Sequence, residues 1–116
     1  MAKAYLVALF YKIHDEEILK NYGADALPAM MANGGTAFAR GTNISEIEGV
    51  PPERAVVIEF ESVEAAQKAY NSEAYQAAKE KLEGGVDRML FVIEETEYRN
   101  LEKVTLSSIL SIGTFY

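Results

Sequence analysis

A single histidine, His14, stands in this 116-residue chain directly before Asp15, Glu16 and Glu17. An imidazole beside carboxylates is raw material for general acid–base work, because it titrates near neutral pH. Adjacent residues on a helix point in different directions, and only Glu17 or Ile18 shares a face with His14, so this run is not a preformed metal cluster. His14 reads first as a surface or capping residue, and as the acid–base candidate if the protein catalyses a reaction. The chain has no cysteine, which excludes disulfides, thiolate metal sites and cysteine nucleophiles. With one histidine, no Ser-His-Asp spacing is visible. No metal site and no cofactor motif emerges.

Arg40 and Arg54 form a second constellation. They fall at the end of one strand and the start of the next, so they approach each other or Glu48 and Glu59. One reading is an ion pair that holds the intervening loop; the other is a guanidinium fork for a ligand carboxylate. Glu59 interrupts an apolar strand, either paired with an arginine across the sheet or dimer, or as a pocket carboxylate with a raised pKa. Tyr5, Tyr11, Tyr22, Tyr70 and Tyr75 supply much hydroxyl capacity in a chain without tryptophan. Each serves packing by default, and tyrosines also line apolar pockets and orient a ligand through one hydroxyl.

The elements that must position these residues follow from patterning. Ala4–Lys12 and Ala55–Phe60 read as the most apolar strands, with Thr36–Thr42 and Arg88–Glu94 as more polar edges. Asp15 caps a helix that reaches about Ala32, with Pro28 expected to kink or restart it. Ser62 and Ser72 cap two short helices in series, ending near Leu82. Gly34-Gly35 and Gly84-Gly85 close the helical segments at a constant offset, 84 − 34 = 50, which Phe10 and Phe60 share, 60 − 10 = 50. A β-α-β unit used twice predicts an α+β, ferredoxin-like βαββαβ fold with a four-stranded antiparallel sheet. Both glycine pairs follow a helix and enter a strand, whereas a phosphate loop leads into a helix, so they are turns and caps.

The length suits one domain, expected over residues 1–95, with 96–116 as a C-terminal extension packing on the core or on a partner subunit. A net charge of −7, with scattered lysines and arginines, argues against a nucleic-acid partner. No apolar run approaches the ~20 residues that span a bilayer, and Ala4–Tyr11 lacks the cleavage site of a signal peptide. A cytoplasmic location is expected. Both faces of the first and fourth strands are apolar, while two helical layers cover only one face. The other face needs cover, and a second copy supplies it: the sequence predicts a homodimer whose sheets face each other.

At Gly34-Gly35, Arg40, Glu48-Gly49, Arg54 and the run VVIEFESVEAAQKAYNSEAYQ from Val56 to Gln76, the chain resembles small bacterial proteins. These are classed as the thirteen-thirty family of domains of unknown function. Tyr22, Phe60, Ser62, Ala66, Tyr70, Ser72, Tyr75 and Gln76 fit the same pattern. The resemblance covers roughly residues 4–94 and implies the dimeric α+β barrel superfamily, whose members include cofactor-independent monooxygenases, isomerases and haem enzymes. Two departures stand out: family members often carry an arginine near the position of Leu82, and residues beyond Glu97 have no counterpart. The family offers no established catalytic residues to transfer. The resulting expectation is a dimeric barrel with a sheet–helix pocket. In it Tyr22, Arg40, Arg54, Glu59 and Tyr75 orient a small carboxylated or aromatic molecule, with His14 as acid–base candidate. The competing expectations are a non-catalytic assembly module and a cofactor-independent oxygenase or isomerase.

Overall fold

In the computed structural model, residues 2–96 are described. The chain runs β1 (Ala4–Ile13), α1 (Glu16–Ala32), β2 (Thr36–Gly41), β3 (Arg54–Phe60), α2 (Val63–Tyr70), α3 (Glu73–Glu80) and β4 (Val86–Glu94). The strands form one antiparallel sheet in the order β2-β3-β1-β4. The two most apolar strands are therefore central, and the arrangement is ferredoxin-like. The extension expected to begin at residue 96 falls, after that residue, outside the described residues.

Local chemistry explains where each helix begins. The Asp15 carboxylate accepts from the backbone N–H groups of Glu17 and Ile18 at 3.0 and 3.1 Å. Ser62 Oγ accepts from Ala65 N at 3.0 Å, and Ser72 Oγ from Tyr75 N at 3.3 Å. Each cap satisfies donors that the first turn leaves unpaired. Of the kink or restart expected at Pro28, the restart does not occur, since α1 runs unbroken through it. Pro28 lies on the exposed side and so does Ala24, whose carbonyl loses its helical partner there; water can take that place.

The two glycine pairs divide their work in the same way. The first member of each adopts a left-handed backbone, φ +94° at Gly34 and +78° at Gly84. The second member lies where a side chain would collide. A Cβ on Gly35 would stand 2.8 Å from Ile58 Cγ2 and 2.9 Å from Met30 O, and one on Gly85 would stand 2.5 Å from Ile18 Cγ2. The repeat is thus a turn residue followed by a close-packing residue, and both close approaches involve helix α1, at Met30 and at Ile18.

Strand parity divides the sheet. Leu6, Ala8 and Phe10 of β1 are buried beneath the helices with Ile58 and Phe60 of β3. Tyr5, Val7 and Leu9 face the other way. On that outer face Tyr11, Phe38, Met89, Phe91 and Ile93 remain between 39% and 56% exposed. Burying Phe, Ile or Met side chains is worth roughly 1.5–3 kcal/mol each, so this apolar patch is a substantial surface that the described residues leave open. β4 begins two residues before the expected Arg88, because β1 continues beyond a bulge and pairs Lys12 with Asp87 and Ile13 with Val86.

Candidate functional site

Helix α1 does not close completely over the sheet, and a cavity of about 880 Å³ lies between them. Its floor is Leu6, Ala8 and Phe10 of β1 with Val56 and Ile58 of β3; α1 contributes Leu19, Tyr22, Leu27 and Met30. Glu16, Glu17 and Lys20 of α1 also line it, and all three are exposed. The volume is within the range usual for small-molecule sites, and the walls have their mainly apolar character.

Four of the expected residues meet here. Tyr22, Arg40, Arg54 and Tyr75 all line the cavity. Arg40 pairs in register with Val56 on β3, and Arg54 stands two residues before Val56, so the two arginines share the helix-facing side of neighbouring strands. The loop ion pair that their spacing allowed does not form. Among the described residues the ion pairs are Lys3–Glu59, His14–Asp87 and Lys81–Asp25, and neither Arg40 nor Arg54 has a hydrogen-bonded or charged partner. Two guanidinium groups therefore stand at a mainly apolar cavity unpaired with any acid among the described residues, although Glu16 and Glu17 line the same cavity.

Glu59 is not among them. It belongs to the outer face with Val57, because Ile58 and Phe60 take the helix side. There its carboxylate accepts from Lys3 Nζ at 3.2 Å and from Tyr5 Oη at 3.3 Å. The partner is a lysine, not an arginine. His14 also lies outside the cavity walls; its Nε2 is 3.0 Å from Asp87 Oδ2 at an exposed position between β1 and β4.

The residue that sequence reasoning missed is Arg88. Register places it opposite Phe10 on β4, just as Arg54 lies opposite Phe10 on β3. Three of the four arginines in the sequence thus gather on one face at one end of the sheet. Arg88 Nη1 donates to Tyr22 Oη at 2.9 Å and Nη2 to Tyr75 Oη at 3.1 Å, while the two phenol oxygens are 2.8 Å apart. Its guanidinium carbon is 5.2 Å from the centre of the Tyr22 ring and 5.7 Å from that of Phe10, within cation–π range. Burial works against the Arg88 charge, but the two tyrosines outweigh it and hold its pKa above the ordinary value. Burial, reinforced by Tyr22, pushes the Tyr75 phenol up, with Arg88 opposing, so Tyr75 is a neutral hydrogen-bonding group at ordinary pH. The signal for Arg88 was parity: with Met89, Phe91 and Ile93 on one face, Arg88 must share the other with Leu90 and Val92. Among the described residues no group of three or more His, Asp or Glu is arranged to hold a metal.

Residues 3–96 match the sequence profile of a domain of unknown function, DUF1330. The chain belongs to this family. No curated protein matches the sequence. Among solved structures, the DUF1330 chain is similar to RPA0582, a protein of unknown function from Rhodopseudomonas palustris. Identity is 17% and the TM-score 0.65, over 83% of this chain and 84% of that one. A dimeric ferredoxin-like protein of unknown function from Thermobifida fusca is 16% identical, TM-score 0.60, over 81% and 92% of the two chains. SnoaB of Streptomyces nogalater, a cofactor-independent oxygenase, is 7% identical, TM-score 0.61, over 84% and 96%. These likenesses establish the ferredoxin-like fold for the DUF1330 chain; function must come from the site.

Proposed function

We propose that this DUF1330 protein binds a small carboxylated organic molecule in the cavity between sheet and helix α1, as a homodimer. The observation that carries the reading is the pair Arg40 and Arg54, which line an apolar cavity with no acid partner among the described residues. A carboxylate supplies the missing charge and accepts hydrogen bonds in the geometry a guanidinium fork offers. The apolar floor then takes the hydrocarbon or aromatic part of the ligand. Dimerisation is supported by the exposed apolar outer face, and the Thermobifida fusca relative is itself described as dimeric. Two outer faces packed together would remove their side chains from water. With His14 outside the cavity walls, the geometry favours binding over acid–base catalysis by that residue.

Calorimetric titration of the protein with 3-phenylpropanoate and with 3-phenylpropanamide tests this. The acid is expected to bind and the amide to bind at least tenfold more weakly; Arg54→Met is expected to abolish the difference. Equal binding of acid and amide, or a preference for the acid that survives loss of both arginines, would sink the reading.

A further inference from the structure

The Tyr22–Tyr75–Arg88 cluster has one hydroxyl hydrogen more than the described residues take up. Each phenol oxygen accepts from Arg88, and one phenol donates to the other. Two O–H hydrogens enter this arrangement and only one is used between them. Arg88 is a donor without acceptor capacity, so the second hydrogen has no taker within the cluster. No carboxylate among the described residues pairs with Arg88 either. The cluster is therefore a cation carrying a free donor, held by two tyrosines that are 8% and 1% exposed and that both line the cavity.

Position gives this surplus a meaning. Arg54 and Arg88 flank Phe10 on its two neighbouring strands, two strand spacings apart or roughly 10 Å between backbones. Of the apolar floor, Phe10 is the residue that lies between Arg54 and the Arg88-bound phenols. Arg88 is not itself a wall of the cavity, so its charge reaches the interior through the two hydroxyls.

We infer that Tyr22 and Tyr75, backed by Arg88, form a second polar subsite that takes an oxygen acceptor of the ligand on the other side of Phe10 from its Arg40–Arg54 carboxylate. The ligand class is an organic acid with a second oxygen function, hydroxyl or carboxylate, on the far side of an apolar or aromatic body. Tyr22 and Tyr75 make the contact; Arg88 is a positioning residue that polarises them. This inference rests on the carboxylate reading above and adds the second anchor to it.

The test is a calorimetric comparison of 3-phenylpropanoate with its para-hydroxy and para-carboxy analogues. One of the para-oxygen ligands is expected to bind about tenfold or more tightly than the plain acid, the effect of one buried hydrogen bond to a polarised donor. A preference for the hydroxy arm assigns a phenol or enol oxygen to the subsite, and a preference for the carboxy arm assigns a diacid. The paired substitution Tyr22→Phe with Tyr75→Phe, which conserves ring volume, should collapse that ratio to near one. If the paired variant loses its cooperative melt, Arg88→Lys serves instead: it keeps the charge, breaks the fork and should lower the ratio several-fold. Equal affinity for all three ligands, with plain-acid binding still dependent on Arg54, overturns the second subsite and leaves the carboxylate reading standing. A para-oxygen preference that survives these substitutions also overturns it, and no binding by any of the three overturns both.

Discussion

Arg54→Met separates a structural arginine from a binding one, because the two roles predict opposite effects on the unliganded protein. A half-buried arginine that held an ion pair would leave its partner uncompensated, at a cost of several kcal/mol when truncated. Arg54 has no such partner among the described residues, so no pair is lost. Methionine keeps most of the apolar stem that lies along the sheet. Arg40 is a diagonal neighbour on the same face, and two like charges roughly 8 Å apart repel by about 0.5 kcal/mol in water, less with salt. Relief of that repulsion offsets the small loss of packing. The unliganded variant should therefore lie within about 0.5 kcal/mol of wild type, a shift of no more than a few degrees in Tm. The ligand reverses the picture. At a hundred times its Kd, 3-phenylpropanoate should stabilise wild type by about 2.7 kcal/mol, and the variant should gain almost nothing. Urea denaturation followed by circular dichroism, with and without the acid, reads both quantities. A loss above about 2 kcal/mol without ligand would refute the reasoning, since it would mean Arg54 is held by the fold.

Three further outcomes follow from the same geometry. Gly35→Ala should cost about 1–3 kcal/mol through overpacking, because Ile58, Phe60 and the Met30 carbonyl all stand within 2.9 Å of the new Cβ. Gly34→Ala meets no atom within 4 Å and should cost only the roughly 1 kcal/mol of its positive φ; denaturant midpoints that reverse this order would contradict the division of labour in the pair. Tyr75 has a folded pKa held above its ordinary 10.0, so its contribution to stability is complete below pH 10 and is lost as pH rises toward the folded value. Urea midpoints measured from pH 8 to 11 should fall less steeply for Tyr75→Phe than for wild type, and identical slopes would exclude the effect. Phe91→Lys puts a charge between Met89 and Ile93 on the outer apolar face and should convert the proposed dimer to monomer by light scattering without loss of helical signal, whereas an unchanged mass would place the interface elsewhere.

The elements were legible because their signals are local. Asp15, Ser62 and Ser72 cap the three helices as their types and spacing require, and the glycine pairs mark both returns into the sheet. Central and edge strands could be told apart by apolar content, since side chains on a central strand have neighbours on two strands to pack against. The restart allowed for at Pro28 does not occur, because a proline's effect depends on whether the orphaned carbonyl faces water, which a propensity does not record. Among the site residues, Glu59 was misplaced for want of parity: one residue's shift along a strand exchanges cavity for outer face.

The sequence by itself determined that the chain is a twice-used β-α-β unit with more apolar sheet surface than its helices can cover. It also supplied the chemical types: arginines, phenols, no thiol and one imidazole. Only tertiary structure decided which of them meet. Arg54 and Arg88 are 34 residues apart (88 − 54 = 34), yet they flank one phenylalanine, because β3 and β4 both pair with β1 at Phe10. Strand register is a long-range property fixed by the whole sheet. It is register that leaves Arg40 and Arg54 unpaired with any acid among the described residues while Glu59 has a lysine and His14 an aspartate, and so brings a scattered set of polar residues to one candidate site.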